Sequence, residues 1–163
     1  MKQYIKKTEN ISIHLKNILN SLDEEQINKV RFDFDGDERF KWYYTPHEQN
    51  GLLIFEMKPY QRKLVLELLE LTYSSDGYKT AKSIINLESI LGEYESNHAN
   101  SNDGGNGQWV RSKERYWLAI FGDPSSSNEP WGYRFGGHHI GLNVNIISNF
   151  MEGFTRVTYI IDN

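Results

Sequence analysis

The chain has 163 residues, 18 of them basic and 22 acidic, and it contains no cysteine. A chain of this length suits one domain that buries roughly two thirds of its unfolded surface without covalent staples. The lack of cysteine excludes disulfides, thiolate nucleophiles, iron–sulfur clusters and cysteine-type zinc sites. A net charge of -4 in mixed order, with no basic stripe and no polybasic run, argues against nucleic acid and against a membrane surface as partners. The opening residues Met1-Lys2-Gln3-Tyr4-Ile5-Lys6-Lys7 lead into no apolar run, so no signal peptide or membrane span is expected and the expected compartment is the cytoplasm.

In chain order, Ile11, Leu15, Ile18, Leu19 and Leu22 fall at helical spacing and predict a helix over residues 3–20. Ser21, with Glu24 three residues on, fits a capping box and predicts a second short helix through Ile27 and Val30. Asp35-Gly36 is turn chemistry. Residues 40–44 and 51–56 read as two short strands, joined through Thr45 to Gly51 as a hairpin. Lys58-Pro59 opens the clearest helix, with Leu64, Leu68 and Leu71 as its stripe, widened by Val65 and Leu69. Ser74-Ser75-Asp76-Gly77 breaks it, and residues 78–96 form another amphipathic helix whose buried stripe is Ile84, Leu87, Leu91 and Tyr94. A polar Gly/Asn-rich stretch from Asn97 to Gly107 reads as a mobile loop. Strand-like segments then follow at 114–121, 131–135, 138–146 and 154–161. The fold class is therefore α+β: N-terminal helices with a short β-hairpin, then a C-terminal antiparallel β-meander. The whole reads as one domain over 1–163, with a helical layer at about 3–96, a mobile loop at 97–112 and the meander at 113–161.

One segment carries a geometric argument. If Gly136-Gly137 is a two-residue hairpin turn, Phe135 pairs with His138, Arg134 with His139, Gly132 with Gly141 and Trp131 with Leu142. Paired residues share a face. One face then carries Trp131, Tyr133, Phe135, His138, Ile140, Leu142 and Val144, a core face. The other carries Gly132, Arg134, His139, Gly141, Asn143 and Asn145, a glycine floor flanked by a guanidinium, an imidazole and two amides. Glycine weakens a strand, so its presence marks either close approach by a ligand or another backbone; a plain solvent-facing sheet is the competing account. His139 is a candidate base or metal ligand, Arg134 an anion clamp, Asn143 an orienting amide and Trp131 a wall. His138, on the aromatic face, reads as a hydrogen-bonded core histidine, and a divalent metal held by His138 and His139 together requires a bulge, because adjacent strand residues point apart.

Glu88 and Glu95 fall at the margin of the last helix's stripe, where a carboxylate needs a partner: Arg39, Arg62, Arg134 or a histidine. An ordinary structural ion pair is the competing account. Asp33, Asp35 and Asp37 imitate the start of an EF-hand loop, but Glu38 stands where that loop requires glycine, so calcium of that kind is rejected.

Phe34-Asp35-Gly36-Asp37-Glu38-Arg39 with Trp42 and Tyr44-Thr45-Pro46, then Met57 with Gln61-Arg62, then Leu87-Glu88 and Glu95 follow in an order that is familiar. So do Tyr116, Phe121-Gly122-Asp123-Pro124, Trp131-Gly132-Tyr133-Arg134 and Gly137-His138-His139-Ile140-Gly141-Leu142-Asn143. In order and spacing these resemble an uncharacterised bacterial family, domain-of-unknown-function family 3500, from about residue 21 to the end. The resemblance implies no activity. It implies that the chain corresponds to the N-terminal part of longer members, many of which begin with an export signal.

Three functions fit these residues. The first is a small-molecule or anion binder on the polar face, using Arg134, His139, Asn143, Trp131, Arg39 and Glu95. The second is an acid–base or metal-assisted, hydrolase-like enzyme with His139, Arg134 and Glu88. The third is a protein-interaction module, its partner a second copy or another chain.

Overall fold

A computed structural model describes residues 2–43, 45–97 and 110–147, with the backbone alone for 2–5. The polar stretch from residue 98 to 109 and the expected strand at 154–161 lie outside the described residues. The architecture is α+β: among the described residues there are four α-helices in the N-terminal part, and the long strands are C-terminal.

Helix α1 spans Lys2–Ser21 and buries Ile11, Leu15 and Ile18, which recur every three to four residues on one face. Helix α2, Glu24–Val30, starts on Asp23 rather than Ser21. The Asp23 carboxylate accepts from Gln26 N at 3.0 Å, and the Gln26 amide oxygen accepts from Asp23 N at 3.2 Å. Ser21 instead closes α1 by donating to the Ile18 carbonyl at 2.6 Å. The expected box was therefore displaced by two residues, to a stronger cap at which a carboxylate also faces the positive helix end. Gln26 and Gln61 exchange amide hydrogen bonds at 3.2 and 2.9 Å in the interior, and Gln61 also donates to Ser21 O at 2.7 Å. These bonds tie α1 and α2 to α3, Pro59–Thr72. The α3 interior positions are Gln61, Val65, Leu68 and Leu69. Tyr73 and Ser74 end it, and α4 runs from Ser75 to Asn97, with Ser74 Oγ accepting from Gly77 N at 3.1 Å. No described helix is long and apolar enough to cross a membrane.

Among the described residues the sheet has five strands: β1, Arg31–Phe32; β2, Leu52–Leu53; β3, Tyr116–Phe121; β4, Trp131–Gly137; and β5, Ile140–Ile146. The antiparallel path β3-β4-β5 is the meander expected from the sequence. β1 joins β3 in parallel and β2 joins it antiparallel, both along the edge away from β4. The expected hairpin of 40–44 with 51–56 does not form. Residues 37–40 make a 3-10 turn, 41–43 are irregular, and β2 takes β3 as its partner. Alternating side chains divide the sheet. Tyr116, Leu118, Ile120, Trp131, Tyr133, Phe135, Ile140, Leu142, Val144 and Ile146 join the helices in one core. On the opposite face the described residues of segment 33–50 act as a cap: the carbonyls of Glu38, Lys41 and Asn50 accept from Arg134, Trp42 lies against Gly141 and Gln49 against Gly136.

Candidate functional site

The β4-β5 turn is His138-His139, not Gly136-Gly137. Phe135 faces Leu142, Arg134 faces Asn143, and Gly132 faces Asn145. Both glycines continue the strand, and His139 takes the left-handed conformation, at φ 58°, that the turn requires. The slip from the expected register is four residues along β5, an even number, so the division of side chains between faces survives. The pairing of Arg134 with His139 does not.

The polar face is not open. Arg134 is 1% exposed. Its guanidinium donates to the carbonyls of Glu38, Lys41 and Asn50 and to the Glu38 carboxylate, each at 2.9 Å. It therefore clamps the cap to the sheet through its two terminal nitrogens, while the buried Nε has no hydrogen-bond partner among the described residues. Burial works against ionisation of Glu38, but hydrogen bonds from Asn50, Arg134 and Lys41 together outweigh it and hold the carboxyl below its ordinary range. Gly141 marks a close approach, as its place in a strand suggested, but what approaches is the Trp42 indole of the cap. Asn143 stands opposite Arg134, and its buried Oδ1 has no hydrogen-bond partner among the described residues. Arg39 lies within the cap, donating to Phe34 O at 2.7 Å and resting over the Phe34 and Phe40 rings. Trp131 is buried in the core on the helix face.

A second cluster forms where α4 meets the turn. Glu88 accepts a short hydrogen bond at His138 Nδ1; the two side chains are 5% and 9% exposed. Arg111 holds Glu95 through two nitrogens, at 3.0 and 2.9 Å, and this contact lowers the Glu95 carboxyl below its ordinary range. The same guanidinium reaches within 4.0 Å of Glu88 and 3.0 Å of His138 Nδ1. Nδ1 cannot donate to Glu88 and accept from Arg111 at once. The carboxylate oxygen is nearer, so Nδ1 donates to it and Arg111 serves as a charge neighbour. The other ring nitrogen, Nε2, has no hydrogen bond to a described residue. Tyr116 donates its hydroxyl to His138 O at 3.1 Å and stacks on Phe135, ring centres 5.4 Å apart. Burial, reinforced by the nearby Glu88 charge, pushes its phenol pKa up, so it remains a donor.

Glu88 is not marginal on α4 but central. The buried positions are Ala81, Ile85 and Glu88, while Leu87 and Tyr94, expected inside, are 54% and 56% exposed. The stripe is rotated because the inner face is drawn to polar partners on Arg111 and His138 rather than to the most apolar residues. Sequence reasoning brought Glu88, Glu95 and a histidine into consideration and missed Arg111 and Tyr116. Arg111 carries no local signal, since it sits in irregular chain just before β3. Among the described residues, no group of three or more His, Cys, Asp or Glu side chains is gathered as a metal site. The His138 and His139 rings lie 3.8 Å apart at 36° to each other.

Beside this cluster is a cleft of about 210 Å³ between α3, α4 and β4. Its apolar lining comes from Ile54, Val65, Leu66, Ile85 and Phe135. Lys82 and Lys113 stand at its rim and make no ion pair among the described residues, whereas Arg62, also there, is paired with Glu114.

No curated protein and no solved structure matches this chain. A family model, described as protein of unknown function DUF3500, matches residues 5–153, which takes in α1 as well as the blocks that carried the resemblance. The chain belongs to that family.

Proposed function

We propose that this domain binds a small molecule with an apolar body and an anionic group, in the cleft between α3, α4 and β4. The observation that carries the reading is the juxtaposition of an apolar floor, Val65, Ile85 and Phe135, with two lysines at the rim, Lys82 and Lys113, that make no ion pair among the described residues. Small-molecule sites combine an apolar wall with a few placed polar groups in this way. The polar sheet face is a poorer location, because the cap covers it and occupies Arg134. The test is calorimetric titration with 3-phenylpropionate and octanoate. Both should bind, and Lys82→Glu with Lys113→Glu should weaken binding about tenfold or more, roughly what two reversed rim charges are worth. Unchanged affinity in that double variant would sink the reading.

A second reading, acid–base catalysis, is favoured by one arrangement: a carboxylate orienting an imidazole whose other nitrogen makes no hydrogen bond to a described residue. Its test is turnover of the 4-nitrophenyl ester of 3-phenylpropionate. A rate lost in His138→Gln would favour it, and a rate no faster than that with free imidazole would end it.

A further inference from the structure

Gly51, where the cap enters β2, is fixed by the fold. Its φ is 131°, and a Cβ there would lie 2.7 Å from the Leu118 carbonyl oxygen, so conformation and space both call for glycine. Asn50 before it is exposed, and its side chain and its carbonyl both work in the clamp. Its Nδ2 donates to Glu38 Oε2 at 2.7 Å, and its carbonyl accepts from Arg134 at 2.9 Å. An asparagine followed by glycine is also chemically labile, because no side chain on the glycine shields its backbone nitrogen from the neighbouring side-chain carbonyl carbon. The fold thus places a labile pair at the joint where the cap is held.

We propose that Asn50 is a site of deamidation, that the Glu38–Arg134 clamp holds the reaction back, and that its completion unlatches the cap. Gly51 N attacks Asn50 Cγ, the Cγ–Nδ2 bond breaks, and ammonia leaves with the proton from Gly51 N. Water then opens the resulting imide. Cleavage between the nitrogen and Cγ leaves aspartate; cleavage between the nitrogen and the α-carbonyl leaves isoaspartate, with the chain running through the side chain. In the closed cap this is hindered, because Nδ2 must leave Glu38 before Cγ can turn toward Gly51 N. Opening of the cap frees the amide, so conversion proceeds from the open population. Either product puts a carboxylate where a donor stood beside Glu38, and like charge then opposes like. Isoaspartate also adds a backbone atom between the cap and β2. The cap is a latch that opens once.

The experiment incubates the full chain in mildly alkaline buffer at body temperature, with a parallel sample in guanidinium chloride. Peptide mapping follows Asn50 separately from Asn106, the other asparagine that precedes a glycine. Asn50 should convert about tenfold more slowly in buffer than in guanidinium chloride, as a reaction that waits on local opening does. Glu38→Ala, which removes the acceptor of Nδ2, should recover most of that difference. Converted chain, separated on an anion exchanger by its added negative charge, should be cut by trypsin after Arg39 and Lys41 faster than unconverted chain. Asn50→Gln keeps an amide but cannot close the same ring, and after the same incubation it should resist trypsin as it does when fresh. Should Glu38→Ala fail to fold, the comparison of buffer with guanidinium chloride and the trypsin comparison still decide, since both use the unaltered chain. Equal rates at Asn50 with and without guanidinium chloride overturn the gating. Converted chain as resistant as unconverted chain overturns the latch. No conversion at Asn50 in guanidinium chloride overturns the site itself.

Discussion

At the scale of single residues, His138 and His139 share a turn but face opposite demands. His139 holds φ at 58°, a region that L side chains enter at a cost of about 1–2 kcal/mol and that histidine enters more readily than most. His139→Gly should therefore keep or raise stability, by up to about 1 kcal/mol after glycine's own unfolded-state entropy is set against the relief. His139→Val should lower it by roughly 1–2 kcal/mol, because a β-branched side chain is poorly accommodated there. Urea unfolding of the two variants checks this, and a valine variant as stable as the glycine one would contradict it. His138 is conformationally ordinary, and its constraint is chemical. Glu88→Ala removes the acceptor of Nδ1 at a site 5% exposed, while Arg111 keeps its two bonds to Glu95. A loss of about 2–4 kcal/mol is expected, as for other buried groups deprived of a partner, again read by urea unfolding.

At the scale of elements, the β4-β5 hairpin shows how a close approach is built. A Cβ on Gly141 would overlap the Trp42 indole, the end of a side chain carried by an irregular segment; a Cβ on Gly132 would overlap the Val144 carbonyl, part of the sheet itself. The two substitutions should differ accordingly. Gly141→Ala is expected to cost about 1–3 kcal/mol, as overpacking does, and little when Trp42→Ala is also present. Gly132→Ala should cost more than Gly141→Ala and gain nothing from the Trp42 change. Thermal or urea unfolding of the double-mutant cycle measures both. These elements also show what was legible in the sequence. Alternation in β4 and β5 separated the two faces correctly even with the turn misplaced, because face membership depends only on parity. The turn itself was not legible, since two glycines are the stronger local turn signal and only tertiary packing, with Tyr116 lying against Gly137, keeps them in the strand. On α4, apolar content pointed to Leu87 and Tyr94, while the observed inner face follows Glu88. A stripe chosen by hydrophobicity alone misses a polar residue whose partners come from two other parts of the chain.

At the scale of the molecule, the sheet is held between the helices and the 33–50 cap. The first contact is apolar and was foreshadowed by the helical stripes. The second is made by an arginine meeting carbonyls 84 to 96 residues earlier, which no local pattern encodes. Arg134→Met keeps an unbranched apolar stem and removes the donors, stranding the carbonyls of Glu38, Lys41 and Asn50 and the Glu38 carboxylate. A loss of about 3–5 kcal/mol is expected, with proteolysis appearing first within residues 33–50. The same clamp sets an acid limit. The Glu38 carboxyl titrates lower in the folded chain than its unfolded value of about 4.3, so the unfolded state takes up the proton first. Its stabilising contribution is thus complete above that value and drains away as pH falls through the lower, folded pKa. Glu38→Gln should be less stable than the unaltered chain at neutral pH and should lose less on acidification across that window. Unfolding free energies at pH 7, 5, 4 and 3, values chosen to bracket the unfolded pKa of about 4.3, measure the difference. Two profiles that run parallel would mean that the carboxylate adds nothing to the clamp, and that Arg134 holds the cap through backbone carbonyls alone.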